Sequence, residues 1–145
     1  MDPADPHNLQ RFVDAQLGVF DQALAELRAG AKQSHWMWFV FPQLAGLGHS
    51  PTAQYYAIRS LAEARAYLAH PLLGPRLGQC TEALLSHAGH RSAEAIFGSV
   101  DALKLRSSLT LFDLVAPDDV FARALDSFFA GEPDQRTLAL IGRAR

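Results

Sequence analysis

Apolar residues along the chain recur mostly at helical spacing, and residues that begin or end helices separate the apolar segments. Ser60, with Glu63 three positions later, forms a capping box before one such segment, and Gly30 ends another. The other expected N-terminal caps are Asp5, Ser50, Ser92, Ser99, Asp118 and Asp134. This pattern predicts an all-α fold, a compact single-domain bundle of about seven or eight short helices over residues 1–145.

Composition narrows the classes of function. Ala and Leu far outnumber the β-branched residues, which favours helices over a sheet. The net charge of -2 and the scattered basic residues predict no nucleic-acid partner. No apolar run is long enough to span a membrane and the first residues do not resemble a signal peptide, so we expect a cytoplasmic protein with no membrane partner. The oligomeric state stays open.

Few residues suggest a metal or a cofactor. The single cysteine, Cys80, lies in a helical core pattern and is expected to be inert packing in a reducing compartment. His87 and His90 are three positions apart, but no nearby Cys or carboxylate completes a four-ligand zinc site. We therefore expect no metal and no cofactor.

The most unusual segment is aromatic and spans residues 34–43, SHWMWFVFPQ. It is apolar at any assumed period, which predicts a helix or helical turn that is buried on all sides. A buried indole N–H and a buried imidazole each need hydrogen-bond partners, so polar groups are expected beside His35, Trp36 and Trp38. The segment is either the central core helix or the wall of a binding site.

A glycine loop, GLGHSP at residues 46–51, follows the aromatic segment. It lacks the third glycine of a dinucleotide-binding loop and the lysine of a P-loop, which excludes both interpretations. Ser50 is expected to cap a helix that begins at Pro51, and Tyr55 follows one turn later. The loop is either a plain connection with a good cap or an anion contact through the backbone amides near Gly48 and Ser50.

A long helix is predicted over residues 99–115. At 100° per residue its narrow solvent face comprises Ala102, Arg106 and Asp113, with Thr110 as a borderline member. The polar residues that fall within its apolar sector are Asp101, Lys104, Ser107 and Ser108. A buried charge is costly unless it is paired, so Asp101, Lys104 and Ser108 are expected to form one polar cluster near residues 35–38. The cluster is either a sealed structural ion pair or the lining of a pocket.

Three motifs carry a family resemblance: SHWMWFVFPQLAGLGHS, DALKLRSSLTLF and the opening NLQRFVDAQ. With AEARAYLAHPLLGPRL between them they span nearly the whole chain, and they resemble the bacterial domain-of-unknown-function family 1810. The resemblance implies a compact all-helical domain and brings no reaction or catalytic residues. Members often carry a calpastatin-like label, which does not fit a short, aromatic-rich chain because calpastatins are long and largely disordered.

The residues favour a pocket for a small ring-bearing anion of nucleotide-like shape, and leave open whether any reaction such as hydrolysis occurs. The expected acid–base residues are His35 and Asp101. The expected ligand-binding residues are Trp36, Trp38, Gln43, Gly48, Ser50, Tyr55, Lys104, Ser107 and Ser108. The alternative is a protein-interaction or accessory module without chemistry, in which the polar cluster is purely structural.

Overall fold

The computed structural model describes residues 3–144, and the side chains as far as Gly142. The regular secondary structure of this part of the chain is helical, with one isolated bridge and no named strand. Its ten helices are α1 (Gln10–Gln16), α2 (Phe20–Ala29), α3 (Met37–Val40), α4 (Pro51–Tyr55), α5 (Leu61–Ala69), α6 (Leu73–Leu85), α7 (Ala93–Phe97), α8 (Ser99–Val115), α9 (Val120–Phe129) and α10 (Gln135–Ala144). The prediction of an all-α fold is confirmed, but the described residues form ten helices rather than seven or eight, and α3, α4 and α7 are only four or five residues long.

Most of the predicted helix ends agree with the structure. The hydroxyls of Ser60 and Ser92 accept hydrogen bonds from backbone amides three residues later, and Gly30 ends α2 in a left-handed conformation. Asp134 caps α10 by accepting from the amide and hydroxyl of Thr137. Three ends differ: Asp5 caps a turn ahead of α1, Gly98 precedes α8 in place of Ser99, and Asp119 caps α9 in place of Asp118.

Helix α8 lies at the centre of the fold, with α5, α7, α9 and α10 packed around it. The predicted solvent face of this helix is wrong, because Ala102 and Thr110 are buried. The amide of Asp134, just before α10, donates to the Thr110 hydroxyl, so the start of α10 covers that face. The exposed residues of the first turns are instead Val100 and Leu103, at 66% and 64% exposure.

A buried arginine holds the first helix to the middle of the chain. Every N–H of the Arg11 guanidinium has an acceptor, because Nη2 lies 2.7 Å from a Glu63 carboxylate oxygen and the other hydrogen bonds end on backbone carbonyls. Those carbonyls belong to His7, Asn8, Tyr55 and Ala57. The contacts fix the N-terminal segment and the α4–α5 connection against each other.

The glycine loop is tied to the same connection by a short backbone pairing. Ile58 donates its amide to the carbonyl of Gln43 at 2.8 Å and accepts from the amide of Ala45 at 2.8 Å. Leu44 and Ile58 thereby form an isolated parallel bridge. In residues 3–144 no helix is long and apolar enough to cross a membrane.

Candidate functional site

Both lysines of the protein meet at one carboxylate on α8. The ammonium of Lys32 lies 2.8 Å from Oδ2 of Asp101, and that of Lys104 lies 3.5 Å from Oδ1 of the same group. Lys32 also donates to the backbone carbonyl of Ser34 at 2.6 Å. We refer to Lys32, Asp101 and Lys104 as the lysine–aspartate cluster. Asp101 therefore serves two cations, rather than Lys104 alone as its position in the sequence predicted.

Each lysine of the cluster lies over a tryptophan of the aromatic segment. The Lys32 ammonium is 5.0 Å from the ring centre of Trp36, and the Lys104 ammonium is 5.2 Å from that of Trp38. Both distances are within the range of a cation–π attraction. Trp36 is fully buried while Trp38 is half-buried, so one lysine–tryptophan pair lies in the core and the other at the surface.

The segment that carries Lys32 and Trp36 is held in place by a buried glutamate of α2. Glu26 accepts the indole N–H of Trp36 at 3.0 Å and the backbone amides of Gln33 and Ser34 at 2.7 and 2.9 Å. Although burial by itself would raise the pKa of Glu26, hydrogen bonds from Ser34, Gln33 and Gln22 to the carboxylate keep that pKa well below its ordinary value. The carboxylate thus supplies the partner that the buried indole was predicted to need.

Glu26 and Lys32 belong to the site but were not predicted from the sequence. Glu26 lies among the apolar residues of α2, and the unpaired indole of Trp36 was the one signal that could have pointed to it. Lys32 stands outside every motif, but it is one of only two lysines in the chain. The backbone amide of Lys32 is itself fixed, because it donates to the carbonyl of Ile96 on α7 at 2.8 Å.

The two serines predicted for the cluster do not join it. Ser107 donates to the carbonyl of Leu103 one turn earlier, at 3.2 Å. The hydroxyl of Ser108 is fully buried and has no partner within the described residues, so the prediction that it bonds with Asp101 and Lys104 is wrong. Ser108 lies in the fully buried part of α8, whereas the side chains of Asp101 and Lys104 are 20% and 28% exposed.

The other predicted site residues make no hydrogen bond or ion pair with the cluster in the described part of the chain. His35 is exposed, and no hydrogen bond in the described residues joins Gln43, Gly48 or Ser50 to the cluster. Ser50 caps α4 as expected, accepting from Ala53 at 3.1 Å. Gly48 has a packing role there, because a Cβ at this position would lie 2.6 Å from the Cβ of Ala53.

Tyr55 faces a different part of the molecule. Its side chain is 54% exposed, its ring packs edge-on against Tyr56, and it lines a surface cavity of about 420 Å³ with Arg59 and Ser60. A larger cavity of about 890 Å³ lies between the N-terminal segment and His70. Of the predicted site residues, Tyr55 is the one that lines any of five cavities of about 320 to 890 Å³ in the described chain.

The histidines and the cysteine form no metal centre in the described residues. His87 contacts the carbonyl of Leu27 at 2.8 Å through Nε2, which connects α2 to the end of α6. Burial raises the pKa of Cys80 to about 12. Its sulfur is therefore a protonated thiol at neutral pH, in keeping with a packing role.

Two comparisons place the chain among known proteins, and a third finds no match. The sequence model of the family described as "Protein of unknown function (DUF1810)" matches residues 6–141. A solved structure, the conserved hypothetical protein Rv1873 from Mycobacterium tuberculosis, is 51% identical and has a TM-score of 0.90; the match covers 97% of this chain and 99% of that one. No curated protein matches the sequence.

Proposed function

The chain belongs to the DUF1810 family of proteins of unknown function, as its motifs predicted. Because that family name states no activity, we propose a function from the site itself. We propose that the protein binds a small ring-bearing anion, nucleotide-like in shape, at Lys104 and Trp38. The lysine–aspartate cluster supplies the charge, and the half-buried indole supplies a flat apolar surface. The observation that carries the proposal is the unused hydrogen-bonding capacity of Lys104.

Lys104 is the lysine of the cluster whose N–H groups are available for hydrogen bonds to a ligand. Its ammonium carries three N–H groups, yet no acceptor within the described residues takes a hydrogen bond from it. Asp101 is 3.5 Å away, and its other oxygen is already held by Lys32 at 2.8 Å. An incoming oxyanion gains a charge-assisted hydrogen bond from Lys104 without displacing a protein partner.

The surroundings of Lys104 suit a ligand with an aromatic or other flat ring. Trp38 is half-buried, and its indole N–H donates to no group in the part of the chain that the structure describes. Val100 lies on α8 four residues before Lys104, on the same face of the helix, and is largely exposed. An apolar surface beside an ammonium group with unused N–H donors suits a molecule in which a ring is joined to an anionic group.

The remaining members of the cluster hold this site in shape. Lys32 is bound to Asp101 and Ser34, and Glu26 fixes the backbone that carries both Ser34 and Trp36. Ligand binding therefore requires little ordering of the protein, which lowers its entropic cost. The acid–base roles of His35 and Asp101, and any hydrolytic step, stay predictions.

A second candidate function is an interaction with another protein. The exposure of Val100 and Leu103 favours it, because large apolar side chains at such exposure on one helix end are typical of contact surfaces. In this case the lysine–aspartate cluster is structural, and the apolar residues rather than Lys104 determine binding.

One set of variants separates the two functions. Isothermal titration calorimetry and amide chemical-shift mapping with phosphate, ADP-ribose and common nucleotides test for a ligand, with Lys104→Met as the loss-of-site variant. The matched control is Arg123→Met, which removes a cation from an exposed ion pair with Glu82. Saturable binding that Lys104→Met removes and Arg123→Met keeps supports the proposal. Binding to none of these compounds at millimolar concentration overturns it.

The second candidate has its own measurement. Retention of a host protein that Leu103→Ser abolishes and Lys104→Met leaves unchanged supports the interaction module instead. A ligand that co-purifies from the native host, detected by native mass spectrometry and lost in Lys104→Met, supports the ligand-binding site.

A further inference from the structure

We infer that the indole N–H of Trp38 and the ammonium of Lys104 bind the same oxyanion of the ligand. The inference rests on the proposed function and names the chemistry that this site selects, which is a carboxylate or a phosphate. Such a group offers two or more oxygens, so it accepts from two separate donors at once. Trp38 then determines specificity through its N–H as well as through the flat surface of its ring.

The indole nitrogen of Trp38 is a hydrogen-bond donor that has no acceptor in the described residues but is accessible to solvent. Among those residues, the hydroxyl of Ser108 is the one fully buried side-chain nitrogen or oxygen that lacks a partner. Because the indole nitrogen of the half-buried Trp38 also lacks a partner, it is not fully buried. The indole N–H is the single polar group of a tryptophan side chain, so it is the group through which Trp38 donates to a ligand.

Lys104 supplies a second available donor beside the same ring. Its ammonium lies 5.2 Å from the ring centre of Trp38. Two hydrogen bonds of about 2.8 Å each, joined through one anionic group, add up to more than that distance. The Lys104 side chain is 28% exposed and its ion pair with Asp101 is 3.5 Å long, so the ammonium is free to adjust its position. One oxyanion is therefore large enough to accept from both donors.

The inner lysine–tryptophan pair shows how a carboxylate satisfies such an indole. Lys32 lies over the ring of Trp36, and the indole N–H of Trp36 donates to the carboxylate of Glu26 at 3.0 Å. The outer pair has Lys104 over the ring of Trp38, but no carboxylate of the described residues accepts from its indole. A ligand oxyanion gives Trp38 the kind of partner that Glu26 gives Trp36.

The alternative at the same site is recognition of the ligand ring by stacking alone. In that case the Trp38 N–H takes no part in binding, and an anion without a ring has no reason to contact the indole. Stacking depends on the face of the aromatic ring, whereas the shared oxyanion depends on the N–H at its edge. The two modes therefore differ in how Trp38 responds to a ligand that has no ring.

The indole signals in a proton–nitrogen correlation spectrum of the whole chain test this directly, because the protein has two tryptophans. Titration with inorganic phosphate, which has no ring, is expected to shift the Trp38 indole signal to saturation and to slow its exchange with water. The Trp36 signal is the internal control and is expected to stay unchanged, since its N–H is buried against Glu26. Slow exchange in the free protein identifies the Trp36 signal.

A variant that keeps the aromatic face provides the second measurement. Trp38→Phe retains a ring beside Lys104 and removes the N–H. Calorimetry is expected to give an affinity about tenfold lower for AMP and for inorganic phosphate alike, the effect of one lost hydrogen bond to a charged group. Where the heat from phosphate is small, its affinity is measured by displacement of AMP. Circular dichroism checks the fold of the variant, and if the variant does not fold, the phosphate titration of the unmodified protein decides.

The outcomes separate this inference from the proposed function. If AMP binds and Lys104→Met abolishes its binding, but phosphate leaves the Trp38 indole signal unchanged, the shared oxyanion is overturned and the proposed site stands. The same conclusion follows if Trp38→Phe lowers the affinity for AMP and not for phosphate. If neither AMP nor phosphate binds, the inference and the proposed nucleotide-like ligand fall together.

Discussion

The indole N–H of Trp36 donates to the carboxylate of Glu26 at 3.0 Å, across ten positions of the chain. The bond joins α2 to the aromatic segment and has no exposure to solvent. It makes the position of Lys32 and Ser34 depend on a residue of the preceding helix, since Glu26 also accepts from the amides of Gln33 and Ser34.

Glu26 is expected to contribute an acid-sensitive part of the stability. The pKa of its carboxyl is lowered in the folded protein, so its contribution is fully present above the unfolded value of about 4.3 and is lost as the pH falls toward the folded value. Replacing Glu26→Gln is expected to reduce the free energy of unfolding at pH 7 by about 2 to 4 kcal/mol. Urea denaturation at pH 7 and pH 3 checks both points.

The pH dependence of the free energy of unfolding distinguishes a loss of hydrogen bonds to the Glu26 carboxylate from a simple loss of packing. The unmodified protein is expected to lose more stability between pH 7 and pH 3 than the Glu26→Gln variant does. Equal losses in the two proteins would show that the Glu26 carboxylate is not the group responsible.

The two tryptophans are expected to differ in their effect on stability. Trp36→Ala removes a fully buried indole and its hydrogen bond, and should lower the free energy of unfolding by about 3 to 5 kcal/mol. Trp38→Ala removes a half-buried ring and should cost less than about 2 kcal/mol. Chemical denaturation of both variants checks the order, and a larger loss for Trp38→Ala would contradict it.

The two lysines are also expected to separate structure from binding. Lys104→Met should change the free energy of unfolding by less than about 1 kcal/mol, because its ion pair is loose and partly solvated. Lys32→Met should cost about 2 kcal/mol or more, because it leaves Asp101 and the Ser34 carbonyl without their closest partner. Thermal denaturation together with the calorimetric binding assay makes the comparison.

If Lys104→Met destabilises the protein as much as Lys32→Met does, the cluster is a sealed structural network. A further variant then decides the matter. Replacing all three members of the cluster by apolar residues should recover much of the loss in a sealed network, because paired buried charges add little net stability.

Two glycines of α6 provide a matched test of close packing between helices. A Cβ at Gly74 would lie 2.1 Å from the carbonyl oxygen of Leu68 in α5, whereas a Cβ at Gly78 would meet nothing within 4 Å. Gly74→Ala should therefore destabilise the protein by about 1 to 3 kcal/mol. Gly78→Ala should stabilise it by about 0.5 to 1 kcal/mol through the better helix propensity of alanine. Destabilisation of similar size in both variants would refute the packing argument.

The features that the sequence predicted well are local. Ser60, Ser92 and Gly30 cap or end their helices through contacts within a few residues, so a short window contains all the information needed. The aromatic segment was expected to be buried on all sides with polar groups beside it, and Trp36 meets both expectations. The prediction is wrong for His35, which is exposed, and for Trp38, which is only half-buried.

The features that could not be predicted from the sequence depend on contacts between segments that are distant along the chain. In the sequence, polar residues on the face of α8 that carries Ala102 and Thr110 indicated exposure to solvent. In the structure both residues are buried, and the start of α10 contacts Thr110. Periodicity within one helix cannot show that a later helix packs against that face. Lys32 reaches Asp101 from a segment separated by several helices. The periodicity and spacing of residues indicate which buried side chains need hydrogen-bond or ion-pair partners. The tertiary structure determines which residues those partners are.

The Arg11 contacts described above have a consequence for synthesis on the ribosome. Glu63, the counterion of Arg11, follows it by 52 positions, and the carbonyls of Tyr55 and Ala57 follow by 44 and 46. Until those residues have left the exit tunnel, a docked Arg11 would be a buried cation without its counterion, which is strongly unfavourable. The first helix is therefore expected to dock only after Glu63 has emerged, although its own residues emerge much earlier.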